Sequence, residues 1–90
     1  MKIIIEDRYF DTDKATEQWD LLWVDEDGTR HTGNAYRSSK GTFYVGVSRK
    51  NTKERAWKIM TASEILATYK NYLDDNATDT LGRAGGIEWE

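Results

Sequence analysis

The stretch Ala35–Ser48 limits the possible folds more than any other part of the chain, because it predicts a β-hairpin. Residues 38–41 form a turn signal of small and polar residues that ends in a glycine, which takes a positive φ without steric cost. Residues 42–47 are rich in β-branched and aromatic side chains, as strands prefer. Alternation along this strand predicts a core-facing set of Phe43, Val45 and Val47. Gly46, in mid-strand, indicates a bulge or a close approach by another element.

Other segments carry strand and turn signals of the same kind. Predicted strands are Lys2–Glu6, a short return strand at residues 8–10, Gln18–Glu26, Thr29–Arg37 and Arg55–Thr61. We place tight turns at residues 7–8 and 25–28, although the first turn lacks the glycine of the strongest hairpin signal. Residues 11–13 offer helix N-cap candidates, so one or two helical turns are expected there.

The clearest helix signal starts at Thr61. Thr61 and Glu64 match a capping box, and Met60 and Ile65 occupy the positions of a hydrophobic staple. We predict a helix from about residue 62 to residue 75. Its apolar stripe consists of Ile65, Leu66, Tyr69, Tyr72 and Leu73. Two acids at 74 and 75 would then lie at the negative end of the helix dipole, which hints at another use for them; alternatively, the helix ends by residue 73.

Together these patterns predict an α+β fold. An antiparallel β-sheet of four to five strands is packed by one C-terminal α-helix, and a short helical turn lies near the N-terminus. Residues 1–76 form the single domain that a 90-residue chain can supply. Residues 77–90 are small, polar and glycine-rich, so we predict a tail that is flexible or docks on a sheet edge.

Composition argues against several kinds of chemistry. The chain has no cysteine and one histidine, so the usual soft ligands cannot assemble a zinc site. No nucleophile elbow, Walker A loop or dinucleotide fingerprint is present. We therefore expect no catalytic residues, no metal and no cofactor, and we expect that the protein is not an enzyme. No stretch approaches the roughly 20 apolar residues of a membrane span, and the lack of cysteine fits a cytoplasmic protein.

Charge is segregated along the sequence. Residues 37–58 carry seven bases and one acid, whereas residues 1–36 carry four bases and nine acids. Residues 59–90 carry two bases and six acids. Such asymmetry can steer a charged partner, or it can be ordinary solvated surface.

Two segments resemble small proteins of bacterial mobile genetic elements, from phages and plasmids. The opening block matches that group at Lys2, Ile4, Asp11, Thr12 and Ala15, and the hairpin matches it at Tyr36, Arg37, Gly41 and Phe43. The chain departs from the pattern at residues 6–7, where the group usually has a glycine, and after residue 75. The resemblance implies an inhibitor of a host defence protein, such as an anti-CRISPR protein that presents acidic surface to a nuclease. It implies action in the host cytoplasm.

Our leading hypothesis is therefore a non-enzymatic protein-binding module that acts through acidic and aromatic surface. Its predicted partner-binding residues are Asp25, Glu26, Asp27, Asp74, Asp75 and Trp89. Trp19 and Trp23 would be further anchors if they are exposed, although at least two of the four tryptophans are expected in the core. The expected partner is a protein, such as a CRISPR effector or another nucleic-acid-binding host protein, and a homodimer is a further option.

The alternative hypothesis is a nucleic-acid-binding module. Its predicted contact residues are Arg49, Lys50, Lys53, Arg55, Trp57 and Lys58. This basic loop with an interleaved aromatic fits phosphate contacts beside base stacking. The acidic pI of about 5.1 argues against it, because nucleic-acid-binding domains are usually basic.

Overall fold

Six strands and two helices make up the described part of the chain. The structure, a computed structural model, describes residues 1–24, 27–48, 55–69, 73 and 75–85, with residues 22–24 described by their backbone alone. The strands are β1 (Lys2–Ile5), β2 (Arg8–Asp11), β3 (Glu17–Val24), β4 (Arg30–Arg37), β5 (Phe43–Ser48) and β6 (Arg55–Ile59). The helices are α1 (Ala62–Tyr69) and α2 (Asp75–Ala84), and a 3-10 turn covers Thr12–Lys14. The α+β class is thus confirmed.

Strands β3 to β6 form one antiparallel sheet in sequence order. The predicted central hairpin is its middle pair, with Tyr36 opposite Tyr44 in the β4–β5 register. Its turn closes as predicted: Ser38 N–H donates to Thr42 O at 2.8 Å, and Gly41 has a φ of +86°. That backbone conformation favours glycine, because a Cβ would be strained there.

Strands β1 and β2 form a separate two-stranded hairpin, in which Ile5 pairs with Arg8. Its turn is therefore Glu6–Asp7, one residue earlier than predicted. Both turn residues have positive φ, 51° and 63°, as a type I′ turn requires. The turn lies here because this register points Phe10 inward, where it is buried. Asp11 then caps the 3-10 turn by accepting a hydrogen bond from Asp13 N–H at 3.1 Å.

The helical region corrects the prediction of one helix over residues 62–75. The capping box is confirmed: Thr61 N–H donates to Glu64 Oε1 at 3.0 Å, and Glu64 N–H donates to Thr61 Oγ1 at 3.1 Å. The first of these hydrogen bonds holds the pKa of Glu64 below its ordinary value. However, α1 ends at Tyr69, and Asp75 begins α2. Its carboxylate thus lies at the favourable, positive end of a second helix.

Helix α2 also occupies residues that were predicted as a tail. Residues 77–84 are helical, and residues 86–90 lie outside the described part. Ala77 and Leu81, one helical turn apart, are 1% and 0% exposed. Helix α2 is amphipathic but poor in apolar residues, and burial of this stripe in the helix-side core supplies the stability that propensity does not. The two helices run antiparallel, since Gly85 at the end of α2 lies against Ser63 at the start of α1.

Both faces of the sheet are covered, so the described residues form two apolar clusters. We call the first the helix-side core; its buried members include Trp19, Leu21, Val45, Ile65 and Leu81. The second, the hairpin-side core, is built from Ile5, Phe10, Tyr36 and Tyr44, with Trp57 packed against it. The sequence analysis predicted cover on one face only. A sheet with two covered faces explains why consecutive residues of β5, such as Tyr44 and Val45, are both buried although they point to opposite faces.

Gly46 is a position in β5 where the hairpin-side core leaves no room for a side chain. A Cβ at this position would overlap the six-membered ring of Trp57, which lies directly over the strand. Of the two readings of this glycine, the close approach by another element is confirmed, since β6 brings Trp57 opposite Gly46.

Candidate partner-binding surface

Among the described residues, the outer face of the β1–β2 hairpin carries the two large apolar side chains that are most open to solvent. Met1, Ile4 and Tyr9 are 57%, 62% and 83% exposed, and they are the exposed large hydrophobic residues of the described part. Ile4 and Tyr9 are cross-strand partners in the β1–β2 register, so their side chains lie next to each other. We call the side chains of Ile4 and Tyr9 the hairpin patch. Exposed apolar side chains that cluster in this way are typical of contact surfaces.

A cleft of about 480 Å³ lies beside the patch, between β2 and the turn that joins β4 to β5. Its walls combine three cationic side chains with the hydroxyls of two serines and with residues 9–11. The cations are Arg8, Lys14 and Lys40, and the serines are Ser38 and Ser39. Tyr9 belongs both to the hairpin patch and to the lining of this cleft, so the two features form one continuous surface.

The positive charge of the cleft is only partly engaged. Arg8 donates a hydrogen bond to Thr42 Oγ1 at 3.1 Å, and its guanidinium lies 5.4 Å from the centre of the Phe10 ring. These contacts hold Arg8 in place without neutralising it. Lys14 and Lys40 form no ion pair within the described ranges. The cleft can therefore attract an anionic group.

Asp11, the one carboxylate in the lining, is engaged elsewhere. Besides capping the 3-10 turn, Asp11 Oδ1 lies 3.6 Å from the α-amino group of Met1, which in turn lies 2.9 Å from Asp13 Oδ2. The hydrogen bond to Asp13, and the charges of both aspartates, raise the pKa of that amino group. These contacts fix the start of β1 beside the 3-10 turn, next to the cleft.

Tyr44 occupies the hairpin-side core behind this surface. Its ring is fully buried and lies 4.6 Å from the Phe10 ring and 5.1 Å from the Tyr36 ring, centre to centre. Burial raises the pKa of the Tyr44 hydroxyl, with a smaller contribution from Tyr36 and Asp11. The hydroxyl has no hydrogen-bond partner among the described residues. An unpaired buried hydroxyl is a cost to folding.

We therefore expect Tyr44→Phe to stabilise the protein by about 1 kcal/mol, since the change removes the unpaired hydroxyl and keeps the ring. Differential scanning calorimetry would register this as a rise in Tm of about 4–8 °C for a domain of this size. The same change in the stacked neighbour, Tyr36→Phe, is the matched control and should shift Tm by less. A lower Tm for Tyr44→Phe would contradict the expectation and indicate that the hydroxyl is paired in solution.

The acidic surface of the leading hypothesis is described only in part. Asp27 is exposed in the turn between β3 and β4, where its carboxylate accepts a hydrogen bond from Thr29 N–H at 2.9 Å. Asp75 is exposed in the first turn of α2. The other members, Asp25, Glu26, Asp74 and Trp89, lie outside the described residues. Of the further anchors, Trp19 is buried in the helix-side core and cannot serve as one, and the side chain of Trp23 is not described.

The alternative, basic site is also only partly described. Arg49, Lys50 and Lys53 lie outside the described residues, and Lys58 is exposed. Arg55 donates to Asn34 Oδ1 at 3.1 Å, and Asn34 donates to Asp20 Oδ1 at 2.8 Å, so that guanidinium belongs to a polar row across the sheet.

Trp57, the aromatic of this alternative site, lies over Gly46 and beside the Tyr36 and Tyr44 rings. Its ring therefore has a packing role. A base-stacking platform needs an open ring face, so this arrangement weakens the alternative site.

The sequence analysis did not identify the hairpin patch. The Ile3-Ile4-Ile5 run is apolar at every position, so it gives no sign of which face is outward. The deciding signal was in β2: an inward Phe10 forces its neighbour Tyr9 outward, and Tyr9 in turn fixes Ile4 as the outward residue of β1. The cleft could not be predicted because it joins β2 to a turn some thirty residues later.

No protein-family model, curated protein or solved structure was found to match this chain. Within the described ranges, no three His, Cys, Asp or Glu side chains are grouped as a metal site would need. In the same ranges, neither helix has the length and apolar character required to cross a bilayer.

Proposed function

We propose that this protein is a non-enzymatic protein-binding module that contacts its partner through the hairpin patch. The observation that carries the proposal is the exposure of Ile4 and Tyr9, which are cross-strand partners on the outer face of one hairpin. Apolar side chains elsewhere in the described part are mostly packed into two cores, so exposure here is not a general property of the chain.

The chemistry of the patch supports a protein contact. Tyrosine is enriched at protein interfaces, and it combines a large apolar surface with a polar end. Charged side chains surround the patch, as in an apolar interface centre with a polar rim. Rigid β-structure presents these side chains, because the β1–β2 hairpin is anchored by Ile5 and Phe10 in the hairpin-side core.

The class of partner is part of the same proposal. The resemblance of the opening block and central hairpin to mobile-element proteins favours a host defence protein, which this chain would inhibit by occupying its surface. Action in the host cytoplasm belongs to this proposal too. The predicted acidic residues Asp27 and Asp75 are exposed, so they are available as a second contact to a basic partner. The packing of Trp57 against Gly46, Tyr36 and Tyr44 makes the nucleic-acid-binding alternative the weaker of the two.

The test is capture of a partner from host lysate by the immobilised chain, with quantitative mass spectrometry. The double variant Ile4→Thr/Tyr9→Thr keeps two residues with high strand propensity and removes the apolar surface. We expect this variant to capture at least about tenfold less partner than the natural chain, which corresponds to roughly 1.4 kcal/mol of binding free energy. Circular dichroism should show an unchanged fold, because both side chains are exposed.

The matched control is Ala67→Gln/Thr68→Gln, which changes two exposed residues of α1 to good helix formers. It should capture the partner as the natural chain does. Equal capture by the natural chain and by Ile4→Thr/Tyr9→Thr would rule out the hairpin patch as the contact surface. Sedimentation of the purified chain distinguishes a second copy of this protein from a different partner.

A further inference from the structure

We propose that the cleft beside β2 receives an extended acidic segment of the partner protein. The segment adds as a third strand to the free edge of β2, and its carboxylates face Arg8, Lys14 and Lys40. This inference rests on the proposed protein-binding function and names the chemistry of the partner.

Among the described residues, one edge of β2 has backbone groups without a partner strand. In a hairpin with a two-residue turn, the residues flanking the turn, Ile5 and Arg8, form the hydrogen-bonded pair. The next pair, Ile4 and Tyr9, is therefore a non-hydrogen-bonded pair. The N–H and C=O of Tyr9 consequently point away from β1. In the described part of the chain β2 pairs with β1 alone, and no other backbone bond to Tyr9 is present.

An unpaired strand edge is a template for another strand. Proteins often recognise extended peptides in this way, with backbone hydrogen bonds supplying affinity and side-chain pockets supplying specificity. Here the free edge opens into the cleft, since residues 8–11 of β2 line it. The volume of about 480 Å³ is within the 300–1,000 Å³ of ordinary ligand sites. At about 3.3 Å per residue, β2 can pair with a segment of about four residues.

The cleft carries positive charge from several parts of the fold. Arg8 comes from β2, Lys14 from the 3-10 turn and Lys40 from the turn between β4 and β5, so three separate parts of the fold bring cations to one cleft. Neither lysine forms an ion pair among the described residues. The hydroxyls of Ser38 and Ser39 add hydrogen-bond donors for carboxylate oxygens. An acidic segment therefore complements this cleft in sign.

Carboxylates near the cleft favour an acidic protein segment over a nucleic acid. Asp11 lies in the lining, and Glu6, Asp7 and Asp13 are exposed on the same hairpin and turn. A nucleic-acid strand carries a charge at every phosphate and would meet these carboxylates as it left the cleft. A protein segment can place one or two carboxylates at the cations and an apolar side chain on Tyr9 and Ile4. The mixed surface thus favours the protein.

The experiment uses a fluorescent peptide of about seven residues with alternating Glu and Val, which suits strand addition. Fluorescence anisotropy compares it with the corresponding Lys and Val peptide. We expect the acidic peptide to bind at least about tenfold more tightly. Lys14→Glu/Lys40→Glu should remove this preference. The matched control is Lys58→Glu, a charge reversal at an exposed lysine of β6 outside the cleft.

A methylated peptide and amide hydrogen exchange test separately whether the peptide binds by strand addition. An acidic peptide with N-methyl groups on its backbone keeps the carboxylates but cannot donate the backbone bonds, so its binding should weaken although its attraction to the cations remains. Amide hydrogen exchange should show protection of Tyr9 N–H when the unmodified acidic peptide is bound. Equal binding of the methylated and unmodified peptides would overturn strand addition.

Further outcomes separate this inference from the proposed function. If Ile4→Thr/Tyr9→Thr loses partner capture while Lys14→Glu/Lys40→Glu retains it, the hairpin patch stands and the acidic-segment inference fails. If the lysine variant alone loses capture, the cleft stands and the patch fails. Binding of oligothymidylate that depends on Lys14 and Lys40, without binding of the acidic peptide, would identify a nucleic-acid site and overturn the inference.

Discussion

Phe10→Ala is expected to lower the free energy of unfolding by about 3–5 kcal/mol, the usual cost of removing a buried phenylalanine. Phe10 is 7% exposed and joins the hairpin to the sheet through the Tyr44 ring, 4.6 Å away between ring centres. Small domains have a free energy of unfolding of only about 5–15 kcal/mol, so this one change removes a large part of it. Urea unfolding followed by circular dichroism measures it.

The control is the adjacent residue. Tyr9→Ala removes a side chain of similar size from the same strand, but Tyr9 is 83% exposed, so a loss of no more than about 1 kcal/mol is expected from strand propensity. If the two variants lost the same free energy, the hairpin would not pack on the sheet as described. A small effect of Phe10→Ala alone would mean that the hairpin contributes little to the fold.

Leu81→Ala should cost about 2–5 kcal/mol, since Leu81 is 0% exposed in the helix-side core. The stability of this variant tests whether residues 77–84 are a flexible tail or part of the folded domain. A flexible tail would tolerate the change within about 0.5 kcal/mol, as other surface substitutions do. Thermal unfolding by calorimetry gives the answer.

Arg83→Ala, on the exposed side of the same helix, is the control for Leu81→Ala. Arg83 forms an i,i+4 ion pair with Asp79, with 3.0 Å between Nε and Oδ2. Exposed pairs of this kind contribute about 0.3–0.5 kcal/mol. A large loss in this control would show that α2 depends on its own side-chain pairs more than on packing.

The parts of the fold that were predictable are those whose signals are local. The capping box at Thr61 and Glu64 can be recognised from four consecutive residues. The turn at Gly41 needs only a residue that accepts a positive φ. The strands of the main sheet carry their own β-branched and aromatic content. The end of α1 was missed because the apolar stripe continues to Leu73, which packs on the same core although α1 has already ended.

The missed features depend on distant contacts. Helix α2 has only Ala77 and Leu81 as buried apolar side chains. Two such positions are enough to hold the helix in place because both belong to the helix-side core. The covered second face of the sheet was missed because Tyr44 and Tyr36 look like residues of a solvated face until a hairpin lies over them. The cleft depends on Lys14 and Lys40, which only the packed structure brings together.

The two-sided packing of the sheet has a practical consequence for spectroscopy. Trp19 belongs to the helix-side core and Trp57 packs on the hairpin-side core, so the described residues place one indole in each layer. Variants with phenylalanine at the remaining tryptophans would each retain one emitter. The emission of Trp19 would then follow the detachment of the helices, and that of Trp57 the lifting of the hairpin. Stopped-flow fluorescence on such a pair would reveal which layer opens first during unfolding.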